Sequence, residues 1–175
     1  MLENEPPFRG RFGRPYIYVE SCPSTQRLLA ADAPEGAVAV ANQQTQGRGR
    51  LGRTWLDEPG ASLLFSLCLR PSLPVARWPE LSLVAGRAVA AAIAAVAGVE
   101  PTVKHPNDVL LGGRKVAGIL AEAADGRVVL GVGVNVAATP FEGSAALGGG
   151  VDRATLLTEI LERLEAGYDR WLTGS

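Results

Sequence analysis

Short apolar runs separated by glycine- and proline-marked turns make up most of the chain, and their period changes along its length. "YIYVES" (16–21) has the aromatic and β-branched bias of a strand. In "CPSTQRLLAADA" (22–33), Ser24 or Thr25 is placed to cap a short helix bearing Leu28 and Leu29. "GAVAVANQ" (36–43) predicts a second strand, apolar throughout. In "ASLLFSLCLRP" (61–71), Leu63, Phe65, Leu67 and Leu69 alternate with Leu64, Ser66, Cys68 and Arg70. That pattern predicts a third strand with one buried and one mixed face.

Trp78 to Val96 reads as a long helix, closed by Gly98 and barred from continuing by Pro101. Further on, Gly112-Gly113 and Asp125-Gly126 each sit between apolar runs as two-residue hairpin signals, which predicts a three-stranded antiparallel meander. Residues 143–150, rich in Gly and Ala, read as a loose link to a last amphipathic helix. Leu156, Leu157, Ile160, Leu161 and Leu164 recur there at helical spacing, with Tyr168 and Trp171 beyond. Strands on both sides of one long helix, without regular βαβ alternation, predict an α+β fold. One domain over 1–175 is expected, with 1–14 a flexible lead-in.

Composition narrows the function classes. The chain has 175 residues, 47% of them hydrophobic and 20% charged, the balance of a globular protein. With 17 basic and 18 acidic side chains, no global field recruits DNA or an anionic membrane, so anion recognition has to be local. The apolar stretch 81–99 is interrupted by Arg87 and reads as a core helix rather than a membrane span. Cys22 and Cys68 are far apart and read as buried thiols. With no apolar leader in 1–10, a cytoplasmic location is expected.

Positive charge is concentrated in "QGRGRLGRTW" (46–55), where Arg48, Arg50 and Arg53 alternate with Gly47, Gly49 and Gly52. Glycine allows close backbone approach to a ligand, and arginine supplies planar donors suited to phosphate and carboxylate. No Gly-Lys-Ser/Thr ends the segment and a strand follows it, so it is neither a P-loop nor a dinucleotide fingerprint. The alternatives are a solvated basic loop or an RGG-like tail. Its position between two strands favours ligand binding. The related "RGRFGR" at 9–14 reads as surface lead-in.

A second cluster holds Lys104, Asn107, Asp108 and Lys115. Strand alternation puts Lys115 on one face with Ala117 and Ile119, where it needs an anionic partner; the alternative is a hairpin-edge lysine reaching water. Asn135, at the end of "VLGVGVN", suits either a ligand contact or a turn. Gln44 reads as a strand-end polar residue, and His105, the sole histidine, as structural.

Four segments occur in register: "PSTQ" (23–26), "QTQGRGRLGRTW" (44–55), "KHPNDVLLGGRKVAGIL" (104–120) and "VLGVGVNV" (129–136). Together they resemble the catalytic domain of the biotin–protein ligases. The resemblance implies a class II synthetase-like α+β fold, a mixed, largely antiparallel sheet against helices. It also implies ATP-dependent conversion of biotin to biotinyl-5′-AMP, and transfer of biotin to a lysine of a carboxylase's biotin carboxyl carrier domain.

Carried over by motif, the biotin residues are Ser24, Thr25, Gln26, Gln44, Arg48, Gly49, Arg50, Lys115 and Gly118. The ATP residues are Arg53, Trp55, Lys104, Asn107, Asp108 and Asn135. Arg50 and Lys115 are the implied catalytic pair, with Mg²⁺ on the phosphates and no protein metal ligands assigned. Gln26 stands where the family has asparagine, and His105 where it has tryptophan. No helix-turn-helix precedes the first strand, so DNA binding is not expected. The family's usual small C-terminal domain does not follow Ser175, and a homodimer is one option. The rival readings are a lipoate or octanoyl ligase or transferase of the same fold, and a non-catalytic biotin-binding domain.

Overall fold

The computed structural model describes residues 1–175. In chain order the strands are Tyr16–Cys22 (β1), Val38–Gln44 (β2), Ser62–Leu69 (β3), Thr102–Lys104 (β4), Asp108–Leu111 (β5), Arg114–Ala124 (β6) and Arg127–Asn135 (β7). The helices are Leu81–Ala97 (α1) and Arg153–Thr173 (α2). One sheet takes the order β1-β2-β3-β7-β6-β5-β4. Only β1 and β2 pair in parallel; the other pairs are antiparallel.

Local chemistry sets the turns. Gly112 and Gly113 (φ 58° and 77°) and Asp125 and Gly126 (φ 52° and 70°) adopt the left-handed backbone that a primed hairpin turn requires. The predicted meander is therefore β5–β6–β7. The structure adds β4, three residues that pair with β5 across the His105–Asn107 turn. Its brevity and the proline beside it hid it from the periodicity.

Alternation sorts the sheet into two faces. Leu63, Phe65, Leu67 and Leu69 of β3 and Val128, Leu130, Val132 and Val134 of β7 join the helix-side core. Seven side chains of α2, from Leu156 to Trp171, are buried there, each worth about 1.5–3 kcal/mol relative to exposure. Asp152 caps α2 by accepting from Thr155 N at 2.8 Å. The opposite face carries a smaller cluster of Leu29, Ala37, Ala39, Cys68 and Val129. Both cysteines are buried and free, as expected.

Several expectations need correction. β3 is buried on both faces, because the crossover from β1 to β2 covers its polar side: Thr25 Oγ1 and Ser66 Oγ are 2.7 Å apart. α1 starts at Leu81, not Trp78. Val75–Glu80 forms a tighter 3-10 turn containing Pro79, a residue with no N–H to donate. Residues 1–14 are docked rather than flexible: Leu2, Phe8 and Phe12 are buried, and Phe12 N donates to Glu165 Oε2 at 3.0 Å. Residues 143–150 are not loose either. Ala145 N donates to Lys115 O, Leu147 N to Asn135 O and Gly148 N to Val136 O.

Candidate active site

A cleft lies on the sheet face away from the helices, with the β6–β7 ladder as its floor. Gly118 pairs with Gly133 and Leu120 with Gly131. Side chains would obstruct this floor. A Cβ on Gly133 would stand 2.7 Å from the Trp55 ring, and one on Gly131 would stand 3.1 Å from the Gln26 amide. The Gly131 and Gly133 roles were missed from sequence, although glycine inside an apolar strand is the signal for close approach.

One wall comes from the 3-10 turn Thr25–Leu28. Thr25 donates from N and Oγ1 to Gln44 Oε1 at 2.7 and 3.1 Å. Gln26 Nε2 reaches Leu120 O at 3.1 Å and Val129 O at 3.4 Å. Ser24 precedes the turn, but its side chain makes no capping hydrogen bond. The expected helix cap is thus replaced by cross-links to the sheet. Behind Gln44, Asp57 Oδ2 accepts from Gln44 N at 3.4 Å while Oδ1 has no partner. Burial raises the Asp57 carboxyl above its ordinary range, and the Gln44 N–H partly offsets this.

The Arg-Gly segment lies across the cleft as a narrow excursion. Trp55 N donates to Gly47 O at 2.9 Å and Gly49 N to Arg53 O at 2.7 Å. At its tip Leu51 and Gly52 take positive φ, 57° and 73°. Two side chains tether it: Arg48 Nη2 to Glu122 Oε2 at 2.8 Å and Arg50 Nη1 to Asn107 Oδ1 at 3.2 Å. Asn107 is itself fixed by donating to Ile119 O at 2.9 Å.

Lys115 is corrected twice. The β5–β6 register shifts so that Val109 faces Ala117 while Leu110 faces Lys115, leaving Val116 as the extra residue of a bulge. Val116 and Ala117 both enter the core, and the parity flips. Lys115 therefore shares a face with Gly118, not with Ala117 and Ile119; a Cβ on Gly118 would lie 3.0 Å from Lys115 Nζ. Nor is it deeply buried, its side chain being 38% exposed. The anionic partner it needs is Asp108, whose Oδ1 lies 2.8 Å from Nζ. The contact is an ion pair without hydrogen-bond geometry, so Oδ1 has no donor aimed at it. Nζ also stands 5.7 Å from the Trp55 ring centroid.

Two connected cavities result. The inner one is lined by all nine residues assigned to biotin: Ser24, Thr25, Gln26, Gln44, Arg48, Gly49, Arg50, Lys115 and Gly118. The outer one, the roomier of the two at about 330 Å³, is lined by Arg53, Trp55, Asn107, Asp108 and Asn135 of the ATP set. Lys104 lines neither; it is exposed on β4, in register with Asp108. Asn135 is buried and donates to Ala145 O at 3.0 Å, so it also holds the following segment in place. Leu51, Leu56 and Phe141, all exposed, complete the outer rim and were not singled out from sequence. Arg50 and Lys115 line both cavities and so stand at their junction.

The Biotin/lipoate A/B protein ligase family model matches residues 18–138. The bifunctional ligase/repressor BirA of Bacillus subtilis is 37% identical over 181 residues, covering 92% of this chain and 56% of that protein. The biotin–[acetyl-CoA-carboxylase] ligase of Mycobacterium tuberculosis is 43% identical over 164 residues, covering 85% and 62%. The chain therefore spans somewhat more than half the length of these relatives. Among solved structures, the biotin protein ligase of Aquifex aeolicus in complex with biotin and ATP superimposes with a TM-score of 0.83 at 31% identity, over 91% of this chain and 72% of that one. The expected sheet-and-helix architecture is thus that of the biotin protein ligase catalytic fold, and the chain belongs to the biotin/lipoate A/B protein ligase family.

Proposed function

We propose that the chain joins biotin to ATP, forming biotinyl-5′-AMP and pyrophosphate, and passes biotin to a lysine of a biotin carboxyl carrier domain. The observation that carries this reading is the junction: Arg50 and Lys115 are shared by the inner and the outer cavity. In the first step a biotin carboxylate oxygen forms a bond to the α-phosphorus and the bond to pyrophosphate breaks. Two anions have to meet, and fixed positive charge at the meeting point offsets their repulsion and stabilises the transition state. In the second step the carrier amine attacks the acyl carbon, AMP leaves and the amine loses a proton.

The Arg-Gly excursion roofs the cleft and would shield the mixed anhydride from water. Mg²⁺ fits as an ion carried by phosphates. No group of three or more His, Cys, Asp or Glu stands ready to cage a metal; Asp108, held to Lys115 through Oδ1, is the one carboxylate lining the outer cavity. When bound, Mg²⁺ would neutralise phosphate charge.

A lipoate or octanoate substrate is the second reading, and the inner lining argues against it. Its lining includes the hydroxyls of Ser24 and Thr25 and the amides of Gln26 and Gln44, groups that suit a cyclic urea and that an alkyl chain or dithiolane would leave unanswered. The test is incubation with α-labelled ATP, Mg²⁺ and either biotin or lipoate. Labelled biotinyl-AMP is expected. Adenylate from lipoate alone would overturn the assignment, and tight biotin binding without any adenylate would mark a binding domain. The free, buried Cys22 and Cys68 support a reducing, cytoplasmic setting.

A further inference from the structure

The cleft-facing pairs of the β6–β7 ladder continue past the inner cavity to Glu122–Val129 and Ala124–Arg127. Around them is a side chamber of about 130 Å³ that shares Gln26 and Arg48 with the inner cavity and adds Arg27, Glu122 and Arg127. It lies at the Arg127 end of β7, whereas the outer cavity lies at the Asn135 end.

The charges in its wall do not balance. Arg127 is 9% exposed, and its Nη1 donates to Leu29 O at 3.1 Å. Its Nε is buried with no acceptor, and no carboxylate stands within ion-pair distance. Arg27 is answered only by the neutral Gln46 Oε1, at 3.2 Å. Glu122, the chamber's one carboxylate, is already engaged by Arg48. Three guanidinium groups against one carboxylate leave two positive charges uncompensated. A guanidinium stays charged through the whole range of protein stability, and a buried charge without a counter-charge is strongly unfavourable. A cavity beside it gives an anion room to bind.

We propose that this chamber is a binding site for a small inorganic oxyanion, phosphate or pyrophosphate, held by Arg127 and Arg27. Arg48 turns toward the bound anion and away from Glu122. Filling the site therefore loosens one of the two side-chain tethers of the Arg-Gly segment.

The test is calorimetric titration of the whole chain with phosphate and, separately, pyrophosphate, in chloride buffer without biotin or nucleotide. Its result does not depend on the ligase reading. Saturable binding is expected, weakened roughly tenfold or more by Arg127→Gln and by Arg27→Gln, since each removes charge-assisted donors. Arg27 is exposed, so its variant remains informative if Arg127→Gln does not fold. Glu122→Gln should tighten binding several-fold by removing the competitor for Arg48. Arg9→Gln, on the amino-terminal arm and paired with Glu162 of α2, should leave it unchanged. Tighter pyrophosphate than phosphate would identify the occupant as the by-product of adenylation, and equal affinities would identify free phosphate. No saturable binding, indifference to Arg27→Gln and Glu122→Gln, or loss in Arg9→Gln would overturn the proposal.

Discussion

Lys115 and Arg50, to which the proposed function gives one task, are held differently, and their substitutions should separate. Lys115 is half-exposed and its ion pair with Asp108 lies near the rim, where such pairs contribute at most about 1 kcal/mol. Lys115→Ala should therefore move the melting temperature by no more than a few degrees. Adenylate formation should fall by roughly 10²–10³, the scale for removing a transition-state charge stabiliser. A large drop in melting temperature with near-normal adenylation would make the lysine structural. Arg50 has one 3.2 Å tether to Asn107 and a solvent-exposed stem. Arg50→Ala should keep the fold and speed dissociation of biotinyl-AMP by about tenfold, matching one lost charged hydrogen bond; a filter-binding chase would measure it.

At the scale of elements, two contacts make sharp predictions. The Trp55 indole rests on the β6–β7 floor because position 133 has no side chain. Gly133→Val should lift the indole and abolish biotin binding while circular dichroism stays native-like; unchanged biotin affinity would remove Trp55 from the site. Glu80, at the start of α1, accepts from Arg77 and from Trp171 Nε1 of α2. The Arg77 hydrogen bond first, and Trp171 second, lower its carboxyl to about 2 from the ordinary 4.5. A carboxyl lowered by folding supports stability above its unfolded value and loses that support as pH falls toward the folded one. Urea midpoints should thus decline more steeply between pH 4.5 and 2 in the parent chain than in Glu80→Gln; parallel curves would show the clamp to be idle.

What the sequence makes legible at this scale follows periodicity. The meander was readable because two primed turns punctuate it, and α2 because its apolar stripe is unbroken. The bulge at Val116 was not readable. It costs one residue of parity, leaves no mark in composition, and moves Lys115 to the other face of the sheet. The motif-derived residues of the inner cavity were identifiable only as a set, since Thr25, Gln44 and Gln26 look bland singly. Their meaning comes from cross-links between segments 19 to 103 residues apart. Phe141 and the glycine floor needed the fold.

For the molecule as a whole, the amino-terminal arm is part of the structure. Leu2, Phe8 and Phe12 are buried, and Arg11 engages Glu165 and Asp169 on α2. At about 1.5–3 kcal/mol per side chain, the arm supplies a large share of the 5–15 kcal/mol typical of a domain. Removing residues 1–14 should lower the melting temperature by more than about 10 °C; a truncated chain melting within a few degrees of the parent would restore the flexible reading.

The parallel pairing of β1 with β2 has an outcome beyond topology. A chain that pairs in parallel has to travel back along the sheet before it can enter again, and this return leg is the strip that carries Ser24, Thr25 and Gln26 over the cleft. Under the proposed function, part of the wall that meets the acid is thereby carried by a segment outside the ladder. Recognition could be retailored there for a bulkier or differently shaped acid without severing any interstrand bond.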